Sequence, residues 1–421
     1  MRFGVSVDCS LPDERANYRY LVQDITWFGL AFAATSRFLS VYAIRLGATP
    51  LELGLISSLP AIILLFSSAL GGWWLAHSRT PQQALLLPGL GHRLLFLLPA
   101  FAPFLPESWQ PAWLIFSVAV PAIPQGIASI AFMVLMRQAV HDRLMPSLLS
   151  HRQMALNIGI GIAALAFGLW LEQAPFPLNY QVMFVVAFLF ALMSERACLK
   201  IRAIVPAHDP APQATTPPQT SPWRSQRFLR VAAVVLASHI AFTSIVPVTP
   251  LRLIDDLSAN EGFLALFGLA ELVAGATITL FTSRIVARIG NQAMIAAAMI
   301  GTALAALLIA LAPSLPLTLV AAALSGASWT AVGVGIYGFF TENTPPQSMT
   351  SYSIAYQQVI GLGLFIGPMI GSTLANSGTP LVLVVLAGAG LRLAAGAFIE
   401  HGIFARIGRS RRLRPAMKGV K

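Results

Sequence analysis

The sequence predicts an all-α integral membrane protein of twelve transmembrane helices in two pseudo-symmetric six-helix bundles. Three observations carry that expectation. The 421 residues are 56% hydrophobic and only 10% charged, whereas a soluble domain carries roughly a quarter charged residues. The apolar residues gather into segments of membrane length, and about 20 such residues cross a hydrocarbon core of about 30 Å. These segments fall in two equal sets around a polar, proline-rich stretch at 203–229.

The first span, 21–45, holds Trp27 and a deep base, Arg37, before Ile44-Arg45-Leu46. The second, 53–76, runs into Gly71-Gly72-Trp73-Trp74-Leu75-Ala76-His77-Ser78-Arg79. The third, 84–105, carries His92 and Arg93 toward one edge, where a long basic side chain can snorkel. The fourth, 111–136, includes Gln125; the fifth, 153–173, has Asn157, Gly159, Gly161 and Gly168; the sixth is 180–201. The connector, with AHDPAPQATTPPQTSPWRSQR from Ala207, is too poor in apolar residues to bury a surface. It reads as a flexible or extended tether.

The second set begins at 230–251 with His239 and Thr243, then 262–283 with Glu271, and 293–313. Span 317–340 carries Trp329 and Tyr337. Span 352–375 carries Gln357, Gln358 and the run Gly363-x-x-x-Gly367-Pro368-x-x-Gly371, whose small-residue spacing lets helix backbones approach closely. Span 380–402 closes the set with Arg392. The expected domains are a cytoplasmic N-terminal segment at 1–20, bundles at 21–202 and 230–403, the cytoplasmic linker at 203–229, and a basic cytoplasmic tail at 404–421.

Charge sets the expected orientation. The net charge is +11, and all of the 27 Lys and Arg except Arg37, Arg45, Arg93, Arg252 and Arg392 fall in the termini and the alternate loops of one side. Arg137, Arg143, Arg152, Arg196, Lys200, Arg284 and Arg288 belong to those loops. Such an excess marks the cytoplasmic side, so both termini are expected inside, in a multi-pass protein of the plasma membrane. The placement argues against nucleic acid as the partner of this charge. Cys9 and Cys198, both on the same side, offer no disulfide framework. The first 19 residues lack the apolar run of a cleavable signal peptide, so the first span is expected to direct insertion.

The halves echo each other at an offset near 200: Ile44-Arg45-Leu46 against Leu251-Arg252-Leu253, and Asp142 to Pro146 against Glu342 to Pro346, each followed by a glycine-bearing span. With the loop run Gly71 to Arg79 and the second-half Arg288-Ile289-Gly290, the chain resembles the major facilitator superfamily over nearly its whole length. That family's loop signature is a glycine, then Asp-Arg, then Gly with basic residues. Here the aspartate is missing, and Gly72, His77, Arg79, Arg288 and Gly290 are what remains of two degenerate copies. The resemblance implies twelve helices, with the first, fourth, seventh and tenth lining a central cavity.

Ionisable groups inside a bilayer are expensive and mark function by default. Glu271 is the one carboxylate this reading places at mid-depth, about nine residues or ~13–14 Å from the outer start of its span. Gly268 and Gly275 share its face. Arg37 lies at similar depth, with Ala33, Ala34 and Ser40 beside it. Glu271, Arg37 and His239 are the expected proton-coupling and gating groups, with Arg37 and Glu271 interacting across the halves. Trp27, Gln125, Asn157, Trp329, Tyr337, Gln357 and Gln358 are the expected solute contacts, giving a largely apolar path with few polar anchors. Gly363, Gly367, Pro368, Gly371 and Arg392 are read as packing residues.

No HExxH, GxSxG or Walker-type loop occurs, so no enzyme, cofactor, metal or built-in ATP drive is expected. The sequence reading is a monomeric secondary active transporter working by alternating access, driving proton-coupled efflux of small amphipathic or aromatic compounds. Two alternatives stay open: a proton-coupled importer of an organic anion, and a transporter-like sensor or scaffold without flux.

Overall fold

The computed structural model describes residues 12–78, 80–204, 221–345 and 348–412. Arg79, Cys9, residues 205–220 of the expected linker and the tail from 413 lie outside the described residues. Among those described, twelve helices are long and apolar enough to cross a membrane. They are α1 (Pro12–Arg45), α2 (Pro50–Ala76), α3 (Pro81–Phe104), α4 (Glu107–Ala139), α5 (Met145–Gln173) and α6 (Leu178–Cys198). The series continues with α7 (Gln226–Asp256), α8 (Glu261–Ile289), α9 (Asn291–Leu311), α10 (Leu315–Asn343), α11 (Ser351–Asn376) and α12 (Leu381–His401).

Helix α1 starts nine residues before the apolar run that predicts it, because its first turns are tied down by polar contacts. Glu14 accepts hydrogen bonds from the His141 backbone N–H at 3.0 Å and ring Nδ1 at 2.8 Å. Asn17 donates to the carbonyls of Ala139 and Arg202 at 2.9 and 2.7 Å. Buried polar groups are tolerated when hydrogen-bonded, and hydropathy alone does not see that. Elsewhere the ends follow local chemistry. Thr49 and Glu52 form a capping box at the start of α2, and Gly290, at φ +81°, makes the left-handed turn between α8 and α9.

The described residues divide into two compact units, one of 12–204 with Ser258–Leu269, the other of 221–257 with Ala270 onward. In the first, α1 packs on α5 and α6, and α3 packs on α4 and α6. In the second, α7 packs on α11 and α12, and α9 packs on α10 and α12. The pairing thus repeats six helices later. Tyr18, Leu21, Leu85, Leu135 and Leu148 anchor one core; Phe228, Val235, Met299, Ile336 and Phe340 anchor the other. Large apolar side chains such as Phe66, Leu280, Val320 and Phe398 stay exposed, as befits helices solvated by lipid.

Two of the described helices carry π-helical turns. A π-helical turn, Ala34–Phe38, interrupts α1, and such turns recur at functional sites. Helix α7 breaks after Thr243, resumes at Val248–Leu251, and passes into a second π-helical turn at Arg252–Asp256. Arg252, expected in an outer loop, is buried; it pairs with Asp256 at 3.0 Å and donates to the Ala310 carbonyl at 3.3 Å.

Candidate functional site

Arg37 sits in the π-helical turn of α1, half-buried, against Gly268 at the head of α8. A Cβ on Gly268 would lie 3.0 Å from both Cδ and Nε of Arg37, so the missing side chain makes the seat for the guanidinium. Both residues belong to the first unit. Glu271 lies in the second unit, where a Cβ on Gly326 of α10 would overlap the Glu271 backbone and one on Gly275 would come within 2.6 Å of Thr330 Oγ1. Helices α8 and α10 therefore cross at closest approach beside this carboxylate. Arg37 and Glu271 each take part in a polar or electrostatic interaction.

His239 of α7 donates from Nδ1 to the Val235 carbonyl at 2.8 Å; since a carbonyl only accepts, the neutral ring keeps Nε2 as its acceptor. Its ring meets Trp329 edge-on at 5.3 Å, and Trp329 stacks on Phe242 at 3.8 Å. These three form an aromatic wall in the second unit. Tyr337, Gln357 and Gln358 are exposed and stand outside it. In the first unit, Trp27 leans on Phe190 at 5.7 Å, Gln125 is half-buried in α4, and Asn157 accepts from Gln153 at 3.2 Å.

The described residues of the degenerate loop motif are divided between the two units. Gly72 has open space around it, His77 donates to the Trp73 carbonyl at 2.8 Å, Arg288 is exposed in the last turn of α8, and Gly290 makes the turn already described. The glycines of α11 face α7: a Cβ on Gly363 would lie 2.7 Å from His239 Cβ, one on Gly367 would meet Thr243 Oγ1, and one on Gly371 would overlap the Ser244 carbonyl. Pro368 lies inside this helix. Arg392 of α12 is buried and reaches the α7 break, donating to the Phe242 carbonyl at 2.6 Å and the Ala241 carbonyl at 3.4 Å, and to Thr302 of α9 at 2.9 Å. Its guanidinium lies 4.6 Å over the Phe242 ring. The last carbonyls of a helix lack intrahelical donors; Arg392 supplies donors from a neighbouring helix.

Two acids that the sequence reading passes over lie in the protein interior. Asp24 of α1 and Glu195 of α6 are buried, 4% and 2% exposed. Arg93, expected to snorkel, and Arg152, expected in a loop, are buried with them. Arg152 pairs with Asp24 at 3.1 Å, and Arg93 lies 3.0 Å from Glu195. Hydropathy windows treat such residues as span ends; only helix register shows that all four point into the bundle. The available signal was a carboxylate within a membrane-length segment, which Asp24 and Glu195 both satisfy.

A second polar cluster of the first unit joins α1, α6 and the head of α8. Glu261 accepts from Arg45 Nε at 3.0 Å and from the Tyr180 hydroxyl at 3.1 Å, while Tyr180 stacks on Tyr42 at 4.5 Å. Glu172 accepts from the Gly262 N–H at 3.1 Å, a carboxylate at a helix N-terminus, where the dipole favours it. Cavities of about 370 and 390 Å³ flank Arg45 and share Phe176.

Residues 25–368 match the family model of the Major Facilitator Superfamily. No curated protein matches the chain in sequence. Among solved structures, a variant of the nucleoside transporter NupG superposes with a TM-score of 0.73 at 12% identity, covering 92% of this chain and 99% of that one. A D-xylose–proton symporter gives 0.68 at 16% identity, covering 91% and 97%. The human organic anion transporter MFSD10 (TETRAN) gives 0.62 at 14%, covering 92% and 100%. At such identities the likeness shows the fold, and the three are named for chemically different solutes.

Proposed function

The chain belongs to the Major Facilitator Superfamily and is a multi-pass membrane transporter rather than an enzyme; from that premise we propose that it is a proton-coupled secondary carrier that exports small amphipathic or aromatic compounds by alternating access. The observation that carries this reading is the helix pairing of the first unit, repeated six helices later in the second. In carriers built from structural repeats, alternating access is largely the rocking of one repeat against the other. Glu271 is proposed to bind and release the driving proton, with His239 as a second protonable group of the same unit and Arg37 as a charge that answers it. The wall of Phe242, Trp329 and His239 offers flat apolar contact, and Trp27, Gln125, Asn157, Tyr337, Gln357 and Gln358 are proposed as polar and aromatic contacts along the solute path. A few polar groups on an apolar surface suit amphipathic solutes. The carrier is proposed to work as a monomer in the plasma membrane with both termini in the cytoplasm, as the basic loops favour.

Uptake of an organic anion is the second reading, favoured by the seat that Gly268 makes for the Arg37 guanidinium. One experiment separates the readings. Purified protein in proteoliposomes, loaded with a pH-sensitive dye and given an imposed pH gradient, is screened for solute-dependent proton movement. Export coupling predicts counterflow of protons with aromatic solutes, uptake predicts co-movement with anions, and Glu271→Gln is expected to abolish either. Solute flux with unchanged pH dependence in Glu271→Gln would overturn the coupling, and no flux with any solute class would leave the sensor reading standing in its place.

A further inference from the structure

The four buried charges of the first unit are not equivalent. Asp24 is held by directed hydrogen bonds: Oδ1 accepts from the Ser194 hydroxyl at 2.7 Å and Oδ2 from Arg152 Nη1 at 3.1 Å. Ser194 in turn accepts from Arg93 Nη2 at 3.0 Å. Both arginines therefore converge on Asp24, one directly and one through a hydroxyl. The remaining assigned donors of Arg93 go to the carbonyls of Ala191 and Gly89, at 3.3 and 3.2 Å. Glu195 is left differently. Arg93 Nη2 stands 3.0 Å from its Oε2, yet among the described residues no donor is aligned on either carboxylate oxygen. Its carboxyl lies on the bare Cα of Gly89, where a Cβ would come within 2.5 and 2.6 Å of the two oxygens.

When two acids share a network and only one is hydrogen-bonded as an anion, their environments divide the roles between them. The well-donated acid has its oxygens matched by directed donors. The other keeps its charge only through a Coulomb contact in a desolvated site, and binding a proton removes that charge. We propose that Glu195 is a proton-binding site inside the first bundle, with Arg93 as its counter-ion and the Ser194–Asp24–Arg152 chain holding Arg93 in place whether or not the proton is bound. The proton adds to a Glu195 carboxylate oxygen and leaves Arg93 facing Asp24 through Ser194, so the arginine is never stranded. The charged and titratable groups facing Glu195 are Arg93 on α3, Asp24 on α1 and Cys198 on its own helix, with Arg152 on α5 reached through Asp24 and His92 beside Arg93. The site is separate from Glu271 and independent of solute and direction, so it extends the proposed function without resting on it.

The test titrates the full-length protein in lipid nanodiscs, without solute, across roughly pH 5–8, following the infrared carbonyl band of a protonated buried carboxyl. The expected result, read in a Glu271→Gln background so that the carboxyl proposed to carry the driving proton is silent, is a band that grows on acidification and is lost when Glu195→Gln is added. A band that persists in monodisperse Glu195→Gln/Glu271→Gln, or that never grows in Glu271→Gln, overturns the proposal. Should Glu195→Gln fail to fold, Gly89→Ala decides. It keeps every ionisable group but pushes a methyl into the carboxyl, so the band midpoint should move by at least about one pH unit, or about tenfold in proton affinity. An unmoved midpoint overturns the proposal as firmly. Failure here leaves the Glu271 reading untouched, since that is judged by flux.

Discussion

Replacing Arg392 with lysine probes how the interrupted α7 is held. The guanidinium makes two short charge-assisted bonds, at 2.6 and 2.9 Å, and a weaker one at 3.4 Å. It also covers the Phe242 ring at 4.6 Å. Hydrogen bonds to charged groups contribute about 1.5–3 kcal/mol, and a desolvated cation over an aromatic face about 2 kcal/mol. A lysine ammonium keeps the charge but is a single point. It cannot span the carbonyls of Phe242 on α7 and Thr302 on α9 while lying flat on the ring. Losing one short bond and most of the stacking gives an expected destabilisation of about 2–4 kcal/mol. The assay is chemical unfolding of the purified protein in mixed micelles, read from the midpoint at constant slope. Arg392→Met serves as the companion variant, because removing a buried charge altogether can be neutral. A lysine variant within about 0.5 kcal/mol of the wild type, the range of an ordinary surface substitution, would refute the capping role.

The glycine face of α11 gives a steric counterpart: Gly371→Ala places a methyl into the Ser244 carbonyl, a backbone atom that cannot rotate away, and should cost about 1–3 kcal/mol in the same unfolding assay. Arg93→Ala strands the Glu195 carboxylate and should cost about 3–5 kcal/mol at a pH alkaline enough to keep that carboxylate charged, with Arg93→Ala/Glu195→Ala less damaging than the sum of the singles. The Arg93→Ala penalty should shrink as pH is lowered, because protonating Glu195 neutralises the stranded charge; a pH-independent penalty measured by the same unfolding series contradicts this. Arg45→Ala should cost only about 0.2–1 kcal/mol, and less in high salt, since its side chain is 41% exposed beside Glu261. Tyr180→Phe, which removes one buried bond to Glu261, should cost about 1 kcal/mol without that salt dependence.

The order of twelve spans and the family were legible in the sequence because each rests on composition over about 20 residues at a time. Hydrocarbon solvation acts on such averages, so segment length and composition suffice to read them. Individual polar residues were not legible in that way. Asp24, Arg93, Arg152 and Glu195 lie far apart along the chain and look like interfacial or loop residues, yet helix packing brings them into one hydrogen-bonded network. Whether a charge in a membrane helix is tolerable depends on what faces it, and that is settled by the register of three or four neighbouring helices. The same holds for Glu14 and Asn17, whose partners lie more than a hundred residues away and carry α1 beyond its apolar run. It holds also for Arg392, a mid-span base in the sequence and, once α7 is seen to break, the donor for its last carbonyls. Apolar segment length fixes which segments are fit to enter the membrane; the pairing of charges inside it is a property of the packed bundle, because an ion is stabilised by its neighbours in space rather than in sequence.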